Sequence, residues 1–232
     1  MTWVFLSLGA AISIAARDLS IKTYDGLQPR EIAVLELFWS LPALVAGCII
    51  VEIPPLDQTF WWAFTLSIPI TITAYILYLY AIKYSPISLS VPFLAFTPAF
   101  IILTGFLILG ETINFWGGIG IGLIISGSYI LHFKKNQLNI FAPFSAFLRE
   151  KGSWFMFIVA VLFAFAAVIG KKAILHSSPL FFSYFFFLVF NVVILIGLCI
   201  WGKNDWQKIR HNTPKGLWLG SLHIIHISFH GL

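Results

Sequence analysis

Residues 86–109 read PISLSVPFLAFTPAFIILTGFLIL, without a single charged side chain. A helix needs roughly 20 predominantly apolar residues to cross the hydrocarbon of a bilayer, and this run is long enough. It is far too long for one strand, so it is a membrane helix. Lipid offers no hydrogen-bond partners, so a chain built around such a segment must satisfy its backbone inside helices or a closed barrel. Further apolar runs accompany it at about 3–22, 31–51, 59–82, 113–132, 153–174, 180–201 and from 215 onward. The expected fold class is all-α, a polytopic transmembrane helix bundle with about eight hydrophobic helices.

Composition agrees. Of 232 residues, 59% are hydrophobic and 10% charged, against about 25% charged in soluble domains. A chain of this size cannot hide so much apolar surface from water, which excludes a water-soluble fold. Trp3, Trp61, Trp62, Trp116, Trp154 and Trp201 stand near segment ends, where amphipathic rings settle at headgroup level. The formal charge of +5 is interleaved with apolar runs. It makes no groove for nucleic acid and reads as membrane topology. Most basic residues, from Lys22 and Arg30 to Lys208, Arg210 and Lys215, fall in alternate loops; the positive-inside bias then puts the N-terminus outside. Cys48 and Cys199 lie within apolar segments as free thiols. No metal-ligand spacing is present, and no cofactor is expected. The first segment lacks a basic leader and a clear cleavage site, so no removable signal is expected.

A more polar linker, 133–152, holds Lys134, Lys135, Arg149 and Lys151. It separates a five-helix repeat, 1–132, from an incomplete second repeat, 153–232. The parts share a faint pattern. Ala16-Arg17-Asp18-Leu19 corresponds to Gly170-Lys171-Lys172-Ala173, and Gly47-Cys48 to Gly197-Leu198-Cys199. Repeats with an odd number of helices lie in opposite orientations, a plan common among transporters.

Few polar residues interrupt the apolar runs, and each has two readings. Glu36 sits mid-helix in AVLELFWSLPAL. A charge at the bilayer centre costs roughly 2.5 kcal/mol or more and marks a pathway or a pair. Glu36 either titrates or binds a cation in a cavity, or it is structural, paired with Arg17 or kept as a neutral, hydrogen-bonded acid. Arg17 and Asp18 diverge by about 100° on one helix; Arg17 either faces the bundle or snorkels to the interface. Lys171 holds the matching place in the second repeat. Tyr75 and Tyr78 share a helix face and either line a cavity or join an interfacial belt. Pro92 and Pro98 remove amide hydrogens, which leaves the Ser88 and Leu94 carbonyls without helical partners. Thr97 beside Pro98 offers a hydroxyl to a substrate. Gly118, Gly122 and Ser126, spaced by four, suit helix packing within or between repeats. Thr112 is a candidate N-cap, beside Glu111 as a loop residue. His223, His226 and His230 share a helical face that can bind metal, but no carboxylate or cysteine is near in sequence, so no metal site is expected. No phosphate loop, nucleophile elbow or HExxH occurs, and the chain reads as no enzyme.

One block ties these features together. Tyr78-x-x-Ala81-x-x-Tyr84-Ser85-Pro86, Pro98 in the next helix, Leu109-Gly110-Glu111 and the glycine-rich 117–131 resemble the end of an EamA-type repeat of the drug/metabolite transporter superfamily. The resemblance implies a multi-pass secondary transporter, an exporter or carrier of small organic metabolites or drugs, in a bacterial or archaeal cell membrane. It implies ten helices with both termini in the cytoplasm, at odds with the charge bias. By that standard the second repeat looks truncated, and the ending HIIHISFHGL is unlike the family's third helix. The family's path is lined by its first, third, fourth and sixth helices, where Arg17, Tyr75, Tyr78, Thr97, Pro98 and Lys171 fall. Glu36 joins them from its burial alone, because the family usually has an arginine there. Membrane lipids and an unidentified small organic molecule are the expected partners, with a homo-oligomer or a separate second half completing the carrier. The alternatives are a non-transporting remnant or assembly partner and, with less support, a lipid-modifying membrane enzyme.

Overall fold

The computed structural model describes residues 2–131, 151–202 and 204–231. Helix α1 spans Thr2–Thr23, α2 Pro29–Ile50 and α3 Gln58–Tyr84. Then come α4 (Ile87–Ser90), a 3₁₀ segment (Val91–Phe96), α5 (Thr97–Leu109) and α6 (Phe115–Leu131). The chain continues with α7 (Lys151–Leu175), α8 (Pro179–Trp201), α9 (Trp206–His211) and α10 (Thr213–Gly231). No strand occurs among the described residues. Among the described residues, six helical stretches are long and apolar enough to span a membrane: α1, α2, α3, Val91–Leu109, α7 and α8. Helix α6 is a shorter apolar helix. Of the expected linker, 133–150 lies outside the described residues.

The chain divides into two compact units, Met1–Phe64 with Ala173–Leu232, and Thr65–Lys172. In the first, α10 packs on α1 and α2, and α2 packs on α8. Contacts fix the directions. Ser20 meets Trp218, while Gly9 lies against Phe229, so α1 and α10 are antiparallel. Asn191 meets Ser40, while Tyr184 lies on Gly47, so α2 and α8 are antiparallel as well. Small residues make these approaches close, which matters where lipid leaves helices little hydrophobic reason to associate. A Cβ at Gly216 would stand 2.6 Å from Trp39 Cδ1, and one at Gly220 only 2.9 Å from the Trp39 carbonyl carbon. Trp39 therefore rests in a Gly-x-x-x-Gly seam of α10. The helix starts are locally encoded: Glu31 accepts from the Gln28 N–H at 2.8 Å behind Pro29, and the Ser178 hydroxyl accepts from the Phe181 N–H at 3.3 Å beside Pro179.

In the second unit, α7 runs parallel to α5 and antiparallel to α3. Phe157 meets Phe96 and Phe100, Thr104 faces the Ala164 carbonyl, and Tyr78 lies 6.2 Å from Phe163 between ring centroids. Helices α3 and α5 thus run in opposite directions, with only Ser85 and Pro86 between α3 and α4. The proline break is present: the run expected as one helix over 86–109 is α4, a 3₁₀ segment and α5. One detail is corrected. The Leu94 carbonyl keeps a partner, because the 3₁₀ register hands it the Thr97 N–H. Gly110 closes α5 in the left-handed region at φ 69°, which suits a residue without Cβ. The expected cap is also corrected. Asn114, not Thr112, stands before α6, and its Oδ1 accepts from the Gly117 N–H at 2.8 Å. Gly122 and Ser126 are exposed, and among the described residues a Cβ at Gly122 would meet nothing within 4 Å. Gly118 is half-buried, and α6 packs on the 3₁₀ segment.

Candidate functional site

The turn after α1 folds α2 back beside it, which sets Arg17 opposite Glu36. Arg17 Nε donates to Glu36 Oε1 at 2.6 Å and Nη2 donates to Oε2 at 2.9 Å. This fork-to-fork pairing is the strong geometry for guanidinium and carboxylate. The third guanidinium nitrogen, Nη1, donates to Asp18 Oδ1 at 3.1 Å. Arg17 and Asp18 are each 7% exposed and Glu36 is 0% exposed. Charges buried this deeply persist only when paired. Of the two readings of Glu36, the ion pair with Arg17 is the contact observed.

Helix α10 contributes a residue that sequence reading set aside. His223 Nδ1 lies 3.2 Å from Glu36 Oε1. A carboxylate only accepts, so this contact places the ring proton on Nδ1. Phe187 of α8 meets the same ring edge-on at 5.6 Å. His223 is 7% exposed, and its Nε2 is buried without a hydrogen-bond partner. One turn from Glu36, the Ser40 hydroxyl accepts from Asn191 Nδ2 at 2.7 Å. Asn191 also donates to the Leu37 carbonyl at 3.3 Å, while its Oδ1 is buried and unpartnered. A polar column therefore runs through α1, α2, α8 and α10 inside an apolar bundle.

The other candidates lie in the second unit. Tyr75 and Tyr78 are buried, at 8% and 6% exposure. Thr97 and Pro98 are half-buried where the 3₁₀ segment gives way to α5. Lys171 departs from its expected likeness to Arg17. Its side chain is 50% exposed, and Nζ donates to both Glu111 oxygens at 2.6 and 2.7 Å. The sequence correspondence therefore does not extend to burial, because Lys171 stands at the helix end where Glu111 reaches it. Arg17 and Glu36 come together, and the remaining five do not share their unit.

His223 was set aside and Asn191 was missed, and each left a trace. His223 lies between Leu219 and Ile227, both fully buried, so helical spacing already put it on the inner face. Asn191 is the only amide in an apolar run of more than 20 residues, 179–201, and a polar side chain there requires a partner.

No curated protein and no solved structure matches the chain. A family model does match, over residues 1–133. That stretch holds α1 to α6, with Arg17, Glu36, Tyr75, Tyr78, Thr97 and Pro98. Lys171, Asn191 and His223 lie beyond it. The match covers more than half of a polytopic helical chain, and family members are membrane transporters: the chain belongs to the EamA-like transporter family.

Proposed function

We propose that this protein is a secondary transporter carrying small organic metabolites or drugs across a cell membrane. The observation that carries the reading is the clamped Glu36, a carboxylate with no exposure that is held by Arg17 and His223 within an apolar bundle. Ionisable residues inside a membrane mark substrate or ion pathways by default. Glu36 has two donors on different helices. A proton or a charged substrate group changes which donor it keeps, and such a difference in interaction between two states is what drives a conformational equilibrium. In the second unit, Tyr75, Tyr78, Thr97 and Pro98 are the proposed substrate contacts, with two amphipathic rings and a hydroxyl beside the kink.

The test is a flux screen of small organic solutes in proteoliposomes. Glu36→Gln keeps the shape and removes the charge, and it should lower flux strongly. Glu111→Gln, at a half-exposed surface pair, should lower it far less. Equal flux by Glu36→Gln and wild type at equal reconstitution would make Glu36 purely structural. Absence of flux for every solute with wild-type protein would favour a non-transporting assembly partner.

A further inference from the structure

We propose that the end of the first unit that carries α9 is a binding site for anionic phospholipid headgroups. Contacts gather this end. Lys215 Nζ lies 5.1 Å over the Tyr24 ring, Trp218 Nε1 donates to Ser20 Oγ at 3.0 Å, and α9 packs beside α2. The α1–α2 turn, α9 and the start of α10 therefore meet in one place. That place borders the membrane, because the apolar spans α1 and α8 end at Thr23 and Trp201 and α2 begins at Pro29, with α9 following α8. Trp206 and Trp218 stay 54% and 51% exposed there, as headgroup-level rings do.

The charge at this end is one-sided. Lys22, Arg30, Lys208, Arg210 and Lys215 face three acids, Asp25, Glu31 and Asp205. Two of those acids are engaged with backbone. Glu31 is 1% exposed and accepts from the Gln28 N–H, and Asp205 accepts from the Lys208 N–H at 3.1 Å. Among the described residues, no salt bridge neutralises Arg30, Lys208, Arg210 or Lys215. Arg30 Nε is moreover buried without a hydrogen-bond partner. A shallow depression of about 290 Å³ lies along α9, lined by Asp205, Gln207, Lys208 and His211. Cationic donors, interfacial rings and a shallow recess at the water–lipid boundary suit a phosphate group presented by a lipid. Juxtamembrane basic residues gain from anionic lipid roughly additively, so three removed charges weaken binding by about 100-fold.

The experiment titrates purified full-length protein in detergent with phosphatidylglycerol and with phosphatidylcholine of the same acyl chains, counting bound lipids by native mass spectrometry. Wild type should prefer phosphatidylglycerol. Lys208→Gln/Arg210→Gln/Lys215→Gln should lose that preference about 100-fold, whereas Lys172→Gln in the other unit should keep it. Equal retention of both lipids by wild type, or an unchanged preference in the triple variant, would overturn the proposal. Inorganic phosphate that displaces the lipid completely would also overturn it, since the site would then read free phosphate. Wild type alone supplies a readout independent of folding of the variants. The preference should fall between 0.01 and 1 M salt, as the Debye length drops from about 30 to about 3 Å; a preference that salt does not move counts against the site.

Discussion

Replacing Arg17 with Met and Glu36 with Leu, singly and together, tests whether the buried pair acts as a unit. Charge centres about 4 Å apart attract by about 4 kcal/mol at an effective dielectric of about 20, while desolvation costs several kcal/mol per ion. The pair as a whole is therefore worth little, but either half left alone is costly. Arg17→Met takes both fork donors from Glu36, which is 0% exposed, and leaves it the longer His223 contact at 3.2 Å; breaking a buried pair this way costs about 3–5 kcal/mol. That is two to four decades in the unfolding constant, at about 1.4 kcal/mol per decade. Glu36→Leu should cost less, about 2–3 kcal/mol within the same reasoning, because Asp18 still accepts from Arg17 at 3.1 Å. The double variant exchanges both ions for apolar groups and should lie within about 2 kcal/mol of wild type. The coupling energy is then about 3 kcal/mol or more, well above the roughly 0.6 kcal/mol average for polar contacts between membrane helices. Equilibrium unfolding in mixed micelles of SDS and mild detergent, followed by the fluorescence of the nine tryptophans, measures all four corners. A coupling below about 1 kcal/mol, the level of an ordinary interhelical hydrogen bond, would refute the reasoning.

The same assay tests the glycines. Gly220→Leu puts a side chain against Trp39 backbone that would lie 2.9 Å from its Cβ, so it should cost about 1–3 kcal/mol by overpacking, whereas Gly122→Leu, with nothing within 4 Å, should stay within about 0.5 kcal/mol of wild type; equal effects would dissolve the seam. At the start of α3, Asp57 accepts from the Phe60 N–H at 2.8 Å, which holds its carboxyl below the ordinary 3.8, and its other oxygen faces His176 Nδ1 at 2.7 Å. A depressed carboxyl contributes stability that is complete above its ordinary value and lost as pH falls through the folded one. Wild type should therefore lose more stability than Asp57→Asn on acidification below pH 4, and parallel pH profiles would remove Asp57 from the account.

Local signals read well in this sequence and distant ones did not. Uncharged length gave the membrane helices, and Pro92 and Pro98 gave the break in 86–109, because each acts through its own backbone. Glu36 announced itself by the cost of its burial, with Arg17 as one of two accounts of how that cost is met. His223 was harder. Its partner lies far away in sequence, and the spacing of three histidines drew attention to metal instead. Gly216 and Gly220 hid for a similar reason, since Lys215 and Trp218 around them look like an interfacial rim. Lys171 shows the limit of matching repeats by pattern: its place agrees with that of Arg17, yet a surface carboxylate, Glu111, decides what it does.

The polar column has a consequence for the order in which the protein assembles. Glu36 and Arg17 are 19 positions apart, whereas 187 positions separate Glu36 from His223. At about 5–20 residues per second of synthesis, α1 and α2 wait roughly 10–40 s for the helix that completes their cluster and fills the face of Trp39. During that interval the early hairpin holds its carboxylates without the histidine. The adjacency of Arg17 to Asp18 and its short reach to Glu36 let the hairpin carry its own counter-charge while it waits. The arginine thus serves insertion first, and the histidine arrives as the piece that locks a hairpin already able to survive in lipid.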